Sequence, residues 1–250
     1  MSLPFKENDL ILFTGDSITD CGRNRNDPAS HGTGYVNMLV GQLGYKYAEM
    51  NLRFRNTGIS GDRSHDLQAR WNEDCTDLQP DWISLLIGVN NTLRRYDSND
   101  PTPIDLFEAE CRDLLERIKT TTTAGLVLCS PFLLHIDASV ARMREDLDPK
   151  IEILKALASE FNALWVDFDA AFIAAQQRHI PSYWAEDGVH PSMAGHALMA
   201  ETWLSAISSV TGASAISCGA AARECAVSVS ALKAETASPY SNRSTEILGN

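Results

Sequence analysis

The stretch Leu10-Ile11-Leu12-Phe13-Thr14-Gly15-Asp16-Ser17 decides how the rest of the chain is read. Four large apolar residues run without interruption and stop at a glycine followed by two residues that bond their own backbone in turns. That pattern marks a buried parallel strand ending at the rim of a sheet. Four more short apolar runs follow it: residues 52–55, stopped by Asn56-Thr57-Gly58, residues 82–87, stopped by Gly88, and residues 126–129 and 164–167. Between them the apolar positions take helical spacing. Tyr35, Met38, Leu39 and Leu43 form one such face, and Leu67, Trp71 and Leu78 another that runs up to Pro80. Leu106, Phe107, Cys111, Leu114, Leu115 and Ile118 share a face within 105–119, and a further helix is expected over 151–161. The last helix is capped by Ser192, with Met193, Ala197, Ala200, Leu204 and Ile207 expected to face inward. Strands and helices in strict alternation predict an α/β protein: one doubly wound domain, a five-stranded parallel sheet covered on both faces, spanning residues 1–211.

Composition narrows what such a domain does. The chain has 250 residues, 44% of them hydrophobic, enough for a full core. Its 21 Lys+Arg against 33 Asp+Glu leave a formal charge of −12, which repels phosphate backbones and anionic headgroups, so neither nucleic acid nor a membrane surface is expected as a partner. No apolar run approaches the ~20 residues that a spanning helix needs. The amino terminus carries no secretory pattern, and the six cysteines are scattered without a C-x-x-C pair. A cytoplasmic location with reduced thiols is the expectation. From Gly212 the character changes: nine Ala, seven Ser and cancelling charges make residues 212–250 a neutral extension, expected to dock on a partner or stay disordered. Within it, 218–234 suits either a small-residue helix or an added strand.

Ligand sites of open parallel sheets lie beyond the carboxyl ends of the strands. Three of those ends carry polar, glycine-rich blocks: Gly15-Asp16-Ser17, Gly58-Ile59-Ser60-Gly61-Asp62 and Gly88-Val89-Asn90-Asn91. A fourth block, Asp187-Gly188-Val189-His190-Pro191, precedes the last helix, and an Asp three residues before a His can bond Nδ1 and leave Nε2 for a nucleophile. There is no G-x-S-x-G elbow, so a nucleophile has to come from the first strand.

With these blocks in place, the chain resembles the SGNH or GDSL hydrolases over roughly residues 8–208. FTGDSITDCGR is similar to the family's first block, NTGISGD to its second, GVNN to its third and DGVHP to its fifth. Longer strings such as LQARWNEDC, PDWISLLIGVNN and VHPSMAGH resemble a subgroup that includes intracellular bacterial acetylxylan esterases. The resemblance implies a flavodoxin-like three-layer α/β/α sandwich. It also implies Ser17 as nucleophile, His190 as base and Asp187 as its orienting acid, with an oxyanion hole from Ser17, Gly61 and Asn90. It implies no metal or other cofactor, and assembly into a homo-oligomer. Asp16, Leu93 and Trp184 are candidates for the substrate pocket, Asp16 also as a structural brace. Two positions depart from the pattern: Asn91 stands where most relatives have Asp, a carboxylate expected to brace the oxyanion loop, and Leu93 where many have Trp. The expected activity is hydrolysis of short-chain, above all acetyl, esters of a small molecule or oligosaccharide. A lysophospholipase or thioesterase with a longer acyl slot is the alternative. A non-catalytic flavodoxin-like binding module is the other, and it should carry a phosphate loop where this chain has Asp16 and Asp20.

Overall fold

The structure, a computed structural model, describes residues 3–217. In chain order the elements are β1 (Leu10–Gly15), α1 (Ser17–Asp20), α2 (Tyr35–Lys46), β2 (Arg53–Asn56), α3 (Ser64–Asp74), β3 (Trp82–Leu86) and α4 (Val89–Asp97). They continue with α5 (Ile104–Thr121), β4 (Gly125–Cys129), α6 (Ala138–Glu160), β5 (Leu164–Val166), α7 (Phe168–Ala175), α8 (Pro181–Trp184) and α9 (Met193–Ser217). The five strands pair in parallel in the order β2-β1-β3-β4-β5. This is the flavodoxin-like order, and the connection reverses direction between β1 and β3.

The two-residue period of the strands divides the core. Ile11, Phe13, Leu86, Val127, Cys129 and Val166 face one side with buried residues of α2, α7 and α9. Leu12, Ile83, Leu85, Leu126 and Leu128 face the other with α3 and α5, and α6 contributes to both clusters. Ser84, which interrupts the apolar run of β3, is fully buried and accepts the indole N–H of Trp203 at 3.0 Å. A polar residue in a central strand is thus matched to a buried tryptophan that needs an acceptor.

All five expected strands form, with ends shifted by one or two residues. Several helical expectations change. The helix expected over 151–161 starts at Ala138, where Asp137 caps it by accepting the N–H groups of Ser139 and Val140. Pro149 inside it reads as a breaker in sequence, yet it leaves the helix continuous. The block after β3 is itself the helix α4, whose buried side is Val89, Asn90, Asn91 and Thr92, so no apolar period announces it. α7, capped by Asp167, follows β5 directly. In α9 the Ser192 cap is present, its Oγ accepting the Gly195 N–H at 3.2 Å. The inward face is rotated by one position from that expected: Met193 is 68% exposed and Ala197 is exposed, while His196, Met199, Ala200, Trp203 and Ile207 are buried. Trp203, the largest side chain on the helix, sets that rotation by docking on Phe13 and Ser84.

The boundary expected at 211 falls inside α9. The segment 218–234 lies outside the described residues. Among the described residues no helix is long and apolar enough to cross a membrane.

Candidate active site

Ser17 opens α1 immediately beyond the carboxyl end of β1. The turn that delivers it needs Gly15: its φ is +150°, and a Cβ there would lie 2.1 Å from the Leu86 carbonyl oxygen of the neighbouring strand. Ser17 Oγ stands 2.9 Å from His190 Nε2, and His190 Nδ1 stands 2.7 Å from Asp187 Oδ2. A carboxylate only accepts, so Nδ1 carries the proton and the Nε2 lone pair faces the serine hydroxyl. The other Asp187 oxygen accepts the backbone N–H groups of His190 at 2.7 Å and Val189 at 2.9 Å. Partial burial pushes the Asp187 carboxyl up, but the hydrogen bonds from the His190 ring and backbone and from Val189 outweigh it and hold the group below its usual range.

The loop bearing Asp187 and His190 is fixed from three directions. An antiparallel bridge joins Ala185 to Pro191, the Ser192 N–H donates to the Trp184 carbonyl at 2.8 Å, and the Leu134 N–H donates to that of Gly188 at 2.9 Å. The Asp187 and His190 side chains are each 55% exposed.

The other expected oxyanion donors lie on the loop after β2 and at the start of α4. Asn90, 4% exposed, donates through Nδ2 to the Asp62 carbonyl at 3.0 Å, which leaves its second amide hydrogen uncommitted. The backbone N–H groups of Ser17 and Gly61 have no acceptor among the described residues. Gly61 has φ +93°, and a Cβ added there would meet no protein atom within 4 Å, so conformation, not protein crowding, calls for glycine.

The blocks are laced together by further polar side chains, of which sequence reasoning did not single out Arg70. Arg70 on α3 donates to the Asp62 carboxylate at 2.7 Å, the Thr57 carbonyl at 2.8 Å, the Asp74 carboxylate at 2.8 Å and the Gly15 carbonyl at 3.3 Å. It thereby ties the ends of β1 and β2 to the loop carrying Gly61. Asp20 accepts the Ser60 N–H at 2.9 Å and hydroxyl at 2.8 Å, and Asn56 donates to the Thr19 carbonyl at 2.7 Å while accepting the Gly58 N–H. On α4, Thr92 and Arg95 donate to Asp146 of α6, as does the buried Lys150. The string LQARWNEDC contains Arg70, but three of its four partners lie on other segments and nothing local betrays them.

The remaining candidates are less central. Asp16 is 1% exposed and accepts the Ile18 N–H at 3.0 Å, which makes it the cap of α1. Leu93 is half-buried against the core, and Trp184, 6% exposed, packs in the core under the Arg178 guanidinium. His196, which had no partner in sequence, is buried, with Nδ1 accepting the Tyr35 N–H at 3.1 Å and Nε2 3.4 Å from Cys21 Sγ. Burial pushes its imidazole down to about 4, so it stays neutral. Among the described residues no group of three His, Cys, Asp or Glu is placed to hold a metal ion.

Beyond the carboxyl end of β1, at the switch point of a doubly wound sheet, a serine hydroxyl, an imidazole and a carboxylate stand in one contact chain, the arrangement that acyl transfer calls for. The GDSL-like Lipase/Acylhydrolase family model matches residues 13–198, and the chain belongs to that family; it is a carboxylic ester hydrolase. The acetylxylan esterase of Geobacillus stearothermophilus is 40% identical over 202 residues, covering 78% of this chain and 91% of that protein. The crystal structure of that esterase, Axe2, matches with a TM-score of 0.76 at 38% identity, over 81% of this chain and 95% of the other. A proposed GDSL-like lipase from Parabacteroides merdae matches with a TM-score of 0.79 at 35% identity, over 83% of this chain and 99% of the other. Catalytic mutants of Axe2 replace a serine, an aspartate and a histidine, the last two at the same separation as Asp187 and His190 here.

Proposed function

We propose that this hydrolase removes acetyl and other short acyl groups from carbohydrate esters through a Ser17 acyl-enzyme. The observation that carries the mechanism is the unbroken contact chain from Ser17 Oγ to His190 Nε2 and from His190 Nδ1 to Asp187 Oδ2, at 2.9 and 2.7 Å. Ser17 Oγ attacks the ester carbonyl as its proton passes to His190 Nε2, forming the tetrahedral oxyanion. The N–H groups of Ser17 and Gly61 and the Asn90 amide receive that charge; one such donor is worth ~10²–10³ in kcat. The imidazolium, stabilised by Asp187, then protonates the departing sugar alkoxide. A water molecule activated by the same imidazole attacks the acyl-enzyme, acetate leaves and Ser17 recovers its proton. No step calls for a metal or an organic cofactor.

The substrate assignment rests on the acetylxylan esterase likeness together with the open triad and the charge of −12, which favours a neutral ester over an anionic lipid. We assign catalysis to residues 1–211 and treat 212–250 as an extension to it. A cytoplasmic location agrees with four unpaired cysteines, Cys21, Cys75, Cys111 and Cys129, among the described residues. Homo-oligomeric assembly belongs to the same reading, and light scattering that shows only a monomer overturns it.

The central test is hydrolysis of p-nitrophenyl esters from acetate to decanoate by wild type and Ser17→Ala. The expected result is fastest turnover on acetate and a loss of at least about 10⁴-fold in the variant. Equal rates in the two proteins remove the Ser17 mechanism, and rates that rise with chain length replace the acetyl reading with the lipolytic one. Release of acetate from acetylated xylo-oligosaccharides then tests the carbohydrate assignment.

A further inference from the structure

Behind the oxyanion donors a line of buried polar groups joins α4, the start of α3 and α5. Asn91, fully buried, accepts the Ser64 backbone N–H at 3.2 Å through Oδ1 and donates through Nδ2 to Ser64 Oγ at 2.8 Å and to Thr102 Oγ1 at 3.2 Å. Ser64 Oγ in turn donates to Glu110 Oε2 at 2.5 Å. Ser64 is fully buried and Glu110 is 8% exposed.

The direction of these bonds is forced. A serine hydroxyl has one proton, and Ser64 gives it to Glu110, so whatever sits at position 91 has to donate to Ser64 Oγ while accepting from Ser64 N. An amide does both. A carboxylate only accepts: in place of Asn91 it would contest the same proton with Glu110, and the loser would be left as a buried carboxylate without its donor.

We propose that Asn91, Ser64 and Glu110 form a positioning relay for the oxyanion hole, in which the carboxylate at Glu110 makes an amide at position 91 obligatory. Position 91 is therefore matched to α5, and its departure from the family pattern leaves the brace intact. The relay acts on catalysis because of where it is anchored. Asn90 and Asn91, adjacent on α4, grip the Asp62 carbonyl and Ser64 respectively, so one helix sets the separation between the Gly61 N–H and the Asn90 amide. Donors of this kind work only when held close to the developing charge. The inference rests on the assignment of Gly61 and Asn90 as oxyanion donors made above.

The test uses the full chain and three variants: Asn91→Asp, Glu110→Gln and the two combined. Glu110→Gln alone keeps an acceptor for Ser64 through its amide oxygen, and its loss of kcat is expected to be smaller than that of Asn91→Asp. Asn91→Asp alone is expected to lower kcat on p-nitrophenyl acetate by about tenfold or more, with KM little changed and Tm reduced. In the double variant the relay runs backwards. The amide introduced at position 110 donates to Ser64 Oγ, Ser64 donates to the carboxylate introduced at position 91, and the Thr102 hydroxyl turns to do the same, restoring kcat and Tm most of the way. Restoration of both supports the relay, including where Asn91→Asp alone fails to fold. A double variant no better than Asn91→Asp in either measure overturns it, as does an Asn91→Asp protein with wild-type kcat. If Ser17→Ala retains activity, the Ser17 mechanism that the donor assignment belongs to fails instead, a result independent of any coupling between positions 91 and 110.

Discussion

Asp16 lies one residue before Ser17 and has almost no contact with solvent. Loss of solvation pushes its carboxyl up to about 7, against the opposing pull of the Ile18 N–H and the nearby His190, with Asp62 adding to the rise. The consequence for stability has a definite sign. Below about pH 4 folded and unfolded chains both hold the proton, and ionisation costs nothing. Between about 4 and 7 the unfolded chain releases it while the folded chain keeps it, so stability falls as pH rises and the full cost is reached above 7. Asp16→Asn keeps an oxygen for Ile18 and removes the ionisable group. Thermal melts across pH are expected to show the variant more stable than wild type at pH 8 and equal to it at pH 4; parallel curves would contradict this account. Asp16, Ser17, Asp187 and His190 are legible in sequence because their residue types are unusual at strand ends and the Asp-x-x-His spacing is local. The role of Asn91 is not, since Glu110, the residue that decides its chemistry, reaches it only through Ser64, itself 46 positions from Glu110.

At the scale of elements, the expectations that held were those with an apolar face to read, such as α5 and the five strands. α4 escapes because its buried side is largely polar, and the first half of α6 because a proline inside a helical pattern reads as an end. α3 shows how an element serves the site from a distance. Its Arg70 holds three backbone or carboxylate groups around the Ser17 loop in one planar fork, as well as Asp74 one turn along. A lysine supplies a single point of attachment and cannot span that set. Arg70→Lys is expected to lower kcat on p-nitrophenyl acetate by about tenfold, with a smaller effect on KM, and to reduce Tm by a few degrees. An unchanged kcat with a lowered Tm would make Arg70 a purely structural tie.

For the whole molecule, the core is organised around Trp203 on the last helix. It is fully buried against Phe13 and Phe5, and its indole N–H is satisfied by Ser84 in the middle of the sheet. Removing a side chain of this size costs about 3–5 kcal/mol, and for a chain of this length that corresponds to roughly 6–20 °C of Tm. Trp203→Ala is expected to show that loss in calorimetry while the folded fraction keeps its turnover number at low temperature; a kcat loss in the folded protein would tie the helix to the chemistry more directly than the contacts do. The helix matters in another way, through its place in the chain. Ser17 comes from the first strand and His190 from the loop leading into α9, and the contact between them closes 173 residues of chain. During synthesis Ser17 leaves the ribosome early and waits without His190 until nearly the whole described fold has emerged. If Ser17 and His190 act as proposed, esterase activity switches on in a single late step, and a nascent or truncated chain stopping short of residue 190 carries a serine without its base.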